Sequence, residues 1–192
     1  MNEKLRVAII GCGQICDAHL SEVSFLPDAE VVAVCDLIKV LAEDTADRFD
    51  ITHTYCDYRK MIDELHPDVV HIATPPHTHL SIGSDVINSD CHAYIEKPFG
   101  VSYQEACQLI DIAKKNSVIV CAGFSQLYDI ASVRCQQFIQ AGLLGEVVHL
   151  ETFYGNSMEG SFSRIFLQDK EHWIHKLPGK LFQNIISHAL YH

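Results

Sequence analysis

The sequence is poor in positive charge: 14 lysines and arginines against 25 aspartates and glutamates leave a formal net charge of −11. A nucleic-acid surface needs clustered basic side chains against phosphates, so this balance argues against a nucleic-acid partner. A dinucleotide remains open, because backbone N–H groups can hold its phosphates. No long hydrophobic run occurs. The apolar stretch behind the basic start, Met1–Arg6, is cut at Gly11, too short for a signal-peptide core and far too short to span a membrane. The expectation is a cytoplasmic chain with no membrane partner. There is no Pro/Ser-rich linker, and the eight cysteines contain no CxxC pair. Cys35 and Cys121 close apolar, strand-like runs, so the cysteines read as small buried hydrophobes and not as a disulfide framework or metal site.

What is present is apolar material, 48% of 192 residues, enough for a substantial core in one domain or one domain plus part of another. Its organising stretch is the turn Gly11-Cys12-Gly13-Gln14-Ile15-Cys16. Leu5 to Ile10 in front of it is short, branched and apolar, as in a fully buried strand. Ile15, Ala18, His19 and Val23 behind it begin a helical spacing. A strand that turns through glycines into a helix can hold a phosphate: glycine permits the tight turn and close approach, and the helix N-terminus offers N–H groups and partial positive charge. The hexapeptide alone fits an ordinary strand–turn–helix equally well.

The chain then alternates. A strand is expected over 30–36, a helix over 41–49, a strand over 52–56, a helix over 58–65 and a strand over 69–73. A helix over 77–88, a strand over 92–95, a helix over 102–115 and a strand over 118–121 follow. That rhythm predicts an α/β, Rossmann-type, doubly wound parallel sheet, with ligands outside the carboxyl ends of its strands. Asp36 falls about twenty residues past the turn, where a carboxylate would take the ribose hydroxyls of NAD. A helix cap is the bland alternative. A carboxylate there repels a 2′-phosphate, which favours NAD; Lys39 nearby leaves NADP open.

Two further loops end strands of the same sheet. Thr74-Pro75-Pro76-His77-Thr78-His79 is pinned in an extended path by its prolines and leads into a helix. His77 and His79 lack Cys or carboxylate partners nearby, so they are expected to line the crevice or cap the helix, and no metal is expected. Glu96-Lys97-Pro98 sets a charged pair directly at the end of the fifth strand. By itself it could be a solvated loop.

The ordered set Gly11-Cys12-Gly13-Gln14-Ile15 with His19, Asp36, Thr74-Pro75-Pro76 with His79, and Glu96-Lys97-Pro98 resembles the Gfo/Idh/MocA family of NAD(P)-dependent oxidoreductases. The likeness continues through Ala122-Gly123-Phe124-Ser125 and Gly142-Leu143-Leu144-Gly145-Glu146. It implies an NAD site, with NADP open, built from Gly11, Gly13, Gln14, Ile15, Asp36, Thr74, Pro75, His79, Glu96 and Lys97, and a role for Lys97 toward substrate and cofactor. It also implies a small-molecule substrate and a homo-oligomer in the full-length form. Ser125-Gln126-Leu127-Tyr128 stands where many members carry an arginine.

The nucleotide domain is expected over 1–123 and the start of a substrate or oligomerisation domain over 124–192. A helix is expected over 129–141, a strand over 147–154 and irregular structure over 155–179. The resemblance puts a histidine and, four residues before it, an acid on the following helix. His188 fits the first, and Asn184 stands in place of the acid. A spacing of four sets both on one helix face, and an imidazole can exchange a hydroxyl proton near neutral pH. Lys97, His188 and Asn184 are thus the candidate catalytic residues. His188 and His192 are also four apart, with His172 and His175 upstream, but without the glutamate of a zinc motif. The chain stops in an apolar helical pattern, so a truncated family member is expected, poorly stabilised beyond about Gly145. The function implied is hydride transfer on a sugar, polyol or related hydroxy compound. The alternative is a catalytically silent dinucleotide-binding regulator or scaffold.

Overall fold

β1 (Leu5–Ile10) is apolar on both sides: Ala8 and Ile10 enter one buried cluster, while Val7 and Ile9 point the other way. A strand covered on both faces belongs in the interior of a parallel sheet, and β1 lies there. The computed structural model describes residues 3–153 and 160–190. Its sheet has six strands in the order β3-β2-β1-β4-β5-β6, with β2 at Ala29–Cys35, β3 at His53–Tyr55, β4 at Val69–Ile72, β5 at His92–Glu96 and β6 at Val120–Gly123. All five pairings are parallel. The chain winds outward from β1 to β3, then returns to β4 on the other side of β1. The strand order therefore reverses between β1 and β4, where such sheets open a ligand crevice at their carboxyl ends.

Helices α1 (Cys16–Ser24) and α2 (Lys39–Phe49) cover one face, with Leu20, Ala42 and Ala46 against Ile9 and Val34. Helices α3 (Tyr58–Leu65), α4 (His79–Asn88) and α5 (Tyr103–Asn116) cover the other, where Met61, Val86 and Leu109 meet Ile10, Ile72 and Ile95. Ile9, Ile72, Ile95 and Leu109 are 0% exposed, each burial contributing about 1.5–3 kcal/mol. Local signals set the helix starts. The Asp57 side chain accepts from Arg59 N–H at 2.9 Å. Ser102 Oγ accepts from Glu105 N–H at 3.2 Å while Glu105 Oε2 accepts from Val101 N–H at 2.9 Å, a reciprocal cap.

Two compact units divide the chain, Met1–Gly123 and Phe124–His192. The second holds α6 (Ile130–Gln140), α7 (Ser161–Gln168) and α8 (Lys180–Leu190), with 3-10 turns at Ser125–Tyr128 and Trp173–Lys176. Among its described residues Phe166, Ile174, Leu177 and Asn184 are buried, whereas α6 buries none of its own.

Four expectations are corrected. The last strand begins at Val120, not Val118, because Val118 N–H is still turned back to Ala113 O (3.1 Å), closing α5. No strand forms over 147–153: Val148, Leu150 and Phe153 are 88%, 77% and 94% exposed, and an extended segment holds as a strand only beside a hydrogen-bonded neighbour. Tyr154 and His192 lie outside the described residues. The stretch 155–179, expected to be irregular, contains α7, whose Phe166 reaches that unit's core. The eight cysteines are all free, but Cys56 and Cys135 are exposed, so only Cys12, Cys16, Cys35 and Cys91 behave as core.

Candidate functional site

Gly11 closes β1 at φ +100°, and a Cβ there would lie 2.7 Å from Ala73 O and 3.1 Å from Thr74 Cγ2. The end of β1 is therefore pressed against the end of β4, and only glycine allows both the dihedral and the approach. Two residues on, the situation reverses: nothing lies within 4 Å of the Cβ position of Gly13. Gly13, Gln14 and Ile15 are exposed, so the outer side of the turn is open to a phosphate at the start of α1. Cys16, in the third-glycine position, is 0% exposed and packs with Ile9, Leu20 and Ala42. Cys12 belongs to the same cluster; the interaction of the two thiols lowers the Cys12 pKa and, with burial, raises that of Cys16.

Asp36 follows β2 and is fixed by backbone. Its Oδ2 accepts from Cys12 N–H and its Oδ1 from Ile38 N–H, both at 2.8 Å. Each carboxylate oxygen has two lone pairs, so one on each stays available for a ribose hydroxyl. The nearby cation, Lys39, is 74% exposed and paired to Glu43 at 2.9 Å.

The loop after β4 is held by His79, which is 0% exposed. Its Nε2 lies 2.8 Å from Thr74 O and its Nδ1 3.0 Å from Pro98 O, so the ring ties this loop to the one after β5. Burial pushes the His79 pKa down, opposed by the carbonyls and by the charge of Glu96. Both carbonyls only accept, so a neutral ring donates its single N–H to one of them. Thr74 Oγ1 and Thr78 Oγ1 are 2.7 Å apart, and Thr78 Oγ1 donates to Pro75 O at 2.8 Å.

Glu96 ends β5. Its Oε2 accepts from Lys97 N–H at 3.1 Å and its Oε1 from His19 Nε2 at 3.1 Å, across to α1. The Lys97–Pro98 peptide is cis. Burial lowers the Lys97 pKa below the ordinary lysine value, and Glu96 partly counters it. Contacts thus run without a break from Gly11 through Thr74, His79 and Pro98 to Lys97, Glu96 and His19. The sequence-predicted cofactor residues Gly11, Gly13, Gln14, Ile15, Asp36, Thr74, Pro75, His79, Glu96 and Lys97 all lie at the carboxyl ends of β1, β2, β4 and β5.

Asn184 and His188 belong to the second unit. They sit one turn apart on α8, Asn184 at 3% exposure and His188 half-buried. Two residues of the first unit escaped the sequence reading. His71 and Tyr94 face each other in register on β4 and β5, their rings stacked at 4.9 Å, and His71 Nδ1 is 3.1 Å from His19 Nδ1. The available signal was an imidazole in the otherwise apolar β4 and a phenol between Ala93 and Ile95 on β5.

Residues 5–124 match the family described as "Oxidoreductase family, NAD-binding Rossmann fold", Gfo/Idh/MocA. D-glucoside 3-dehydrogenase of Escherichia coli is 30% identical over 144 residues, covering 74% of this chain and 41% of that protein. Inositol 2-dehydrogenase of Salmonella paratyphi B is 29% identical over 145 residues, covering 74% and 43%. A glycosyl hydrolase family 109 protein of Akkermansia muciniphila is 24% identical over 172 residues, covering 85% and 36%. Among solved structures, myo-inositol 2-dehydrogenase of Lactobacillus plantarum superposes with a TM-score of 0.79 at 23% identity, over 88% of this chain and 51% of that one. The chain spans 36–43% of the length of these curated relatives. With the glycine turn, the carboxylate after β2 and the match over nearly all of the first unit, the chain belongs to the Gfo/Idh/MocA oxidoreductase family, with its NAD-binding Rossmann fold.

Proposed function

We propose that this chain carries the nucleotide-binding half of an NAD-dependent dehydrogenase acting on a CH–OH group of a sugar, polyol or related hydroxy compound. The observation that carries the reading is the half-buried Lys97 at the end of β5, in one run of contacts with the glycine turn. Bound NAD would accept the hydride. The open Gly13 backbone would hold its pyrophosphate and Asp36 its ribose.

Loss of hydride from the carbinol carbon requires the hydroxyl proton to leave. A lysine ammonium against that oxygen stabilises its developing negative charge, and a water-poor site strengthens the effect. Lys97 is assigned that role. His188 is assigned the proton, which its imidazole takes as the carbonyl forms. Asn184, one turn earlier on α8, can hydrogen-bond a hydroxyl or the imidazole but cannot stabilise an imidazolium as an aspartate would. The remaining parts of the proposal are a small-molecule substrate, a homo-oligomer in the full-length form and a cytoplasmic location. Among the described residues no helix is long and apolar enough to cross a membrane.

The test is NADH formation from NAD with a panel of polyols, free sugars and glycosides. Turnover that disappears in Lys97→Ala supports the reading; turnover unchanged in that variant overturns the assignment of Lys97. Asn184 and Leu127, which replace an acid and an arginine, favour a second reading, a silent dinucleotide-binding regulator. NAD binding by calorimetry with no turnover on any panel member would select it.

A further inference from the structure

Three side chains behind the Lys97 loop form a chain of hydrogen bonds that the proposed chemistry does not use. His71 Nδ1 meets His19 Nδ1 at 3.1 Å, and His19 Nε2 meets Glu96 Oε1 at 3.1 Å. The His19 and Glu96 side chains are 9% and 12% exposed. The rings pack on one another: His71 stacks on Tyr94 at 4.9 Å, and Tyr94 meets the His19 edge at 5.5 Å. The charged or titratable groups around the chain are Tyr94 and Lys97 on the β5 side and His79, whose ring lies under the same loop.

For a neutral His19, proton counting gives the direction of the chain. A carboxylate only accepts, so His19 Nε2 carries a proton and donates to Glu96. In neutral His19 the other nitrogen then holds a lone pair. His71 faces it through Nδ1, so the His71 proton must sit on Nδ1. That assignment suits a neutral His71, and burial together with neighbouring His19 holds its pKa down at about 4. Glu96, locked by His19 on one oxygen, holds the Lys97 N–H with the other. The chain thus ties α1, which carries the phosphate-facing turn, to the backbone of Lys97. A ring nitrogen oriented by a partner on its far side is how imidazoles are aimed elsewhere.

We propose that His71 and His19 are positioning residues that act through Glu96 to set the place and solvation of Lys97. The geometry stands alone, but the purpose of placing Lys97 rests on the dehydrogenase reading. NMR of the 13C/15N-labelled 192-residue chain tests it without activity, using the His19 and His71 ring nitrogens and the Lys97 Nζ signal, the latter assigned by its loss in Lys97→Arg. Two variants separate hydrogen bonding from packing. His71→Phe keeps a ring on Tyr94 but removes the donor; His71→Asn offers an amide N–H where Nδ1 was.

The expected result has His71 protonated on Nδ1. In His71→Phe the Lys97 titration moves up toward the ordinary lysine value as water reaches a loosened loop, and in His71→Asn it returns. A Lys97 signal and titration unchanged in His71→Phe, or displaced equally in both variants, would overturn the proposal. In the turnover assay kcat should fall about tenfold in His71→Phe and recover in His71→Asn, with KM for NAD little changed, the tenfold being about 1.4 kcal/mol of barrier. Absence of turnover in the unaltered protein counts against the dehydrogenase reading only, because the Lys97 signal decides the positioning claim.

Discussion

Gly11 is so close to Ala73 that a Cβ on it would stand 2.7 Å from the Ala73 carbonyl oxygen. The contact joins the ends of β1 and β4, the two strands between which the sheet order reverses. The φ of +100° at Gly11 adds a dihedral penalty to the steric one. Gly11→Ala should therefore lower stability by about 2 kcal/mol or more, since both strand ends must shift. It should also abolish NAD binding. Urea unfolding followed by calorimetry with NAD checks both; a variant of unaltered stability would mean that β1 and β4 separate at little cost.

Asp36 is held by the Cys12 and Ile38 N–H groups, so it cannot swing away from an added phosphate. Lys39, the cation that could have offset it, is paired with Glu43. NAD should bind more tightly than NADP. In Asp36→Ser the ratio should shift toward NADP by about tenfold, or about 1.4 kcal/mol, measured as two dissociation constants by calorimetry. An unchanged ratio would remove Asp36 from cofactor selection.

The first unit was legible in the sequence because two periodicities agreed there. Val7 to Ile10 and Val31 to Cys35 are continuous apolar runs, as strands buried on both faces must be, and a glycine or an acid follows each. Asp36 stood out by its distance from the glycine turn, and His79 and the Glu96-Lys97 pair by their place in the ordered motif set, since alone each also fits a helix cap or a solvated loop. His71 did not, because one imidazole inside an apolar run reads as a tolerated core residue until β5 is laid beside it and Tyr94 falls in register. Beyond Phe124 the helical spacing over 129–141 was legible as α6, but the strand pattern misled. Val147 to Phe153 has strand composition, but a strand depends on a neighbour that composition does not specify. Helix α7 carries its own hydrogen bonds, and so forms where irregular structure is expected from the weak periodicity.

Acid should destabilise the first unit through His71. Its pKa is held down at about 4, against 6.5 for an unperturbed imidazole. Above pH 6.5 folded and unfolded chains are both neutral at this residue, and the full contribution is present. Between pH 6.5 and about 4 the unfolded chain takes up a proton that the folded chain refuses, so stability falls with pH, by about 3 kcal/mol in all. Urea unfolding from pH 8 to pH 4 measures the slope. His71→Phe should flatten it across that interval, and a slope of the same size in that variant would assign the acid sensitivity to other groups.

Lys97 should give turnover its alkaline limb. Burial lowers its pKa below the ordinary lysine value, and the proposed role needs the ammonium. Activity should therefore fall as pH rises through that lowered pKa, earlier than for an exposed lysine. Any residual activity in Lys97→Arg should lack this limb, because a guanidinium does not deprotonate in the accessible range. Initial rates between pH 7 and pH 11 in the two proteins decide it, and an identical limb in both would trace it to another group.

Cys16 shows how the nucleotide turn tolerates a side chain where its fingerprint has a third glycine. That position serves the packing of α1 on the sheet, not contact with phosphate. The thiol is accommodated there, fully buried in one cluster with Ile9, Cys12, Leu20 and Ala42. Removing it opens a small void and adds backbone freedom at the first residue of α1, so Cys16→Gly should cost about 1–2 kcal/mol in stability. Gly13, Gln14 and Ile15 are exposed and lie outside the buried cluster that holds the thiol. NAD affinity should accordingly stay equal or rise as α1 settles closer to β1. Weaker NAD binding in Cys16→Gly would show instead that the Cys12–Cys16 contact shapes the turn itself.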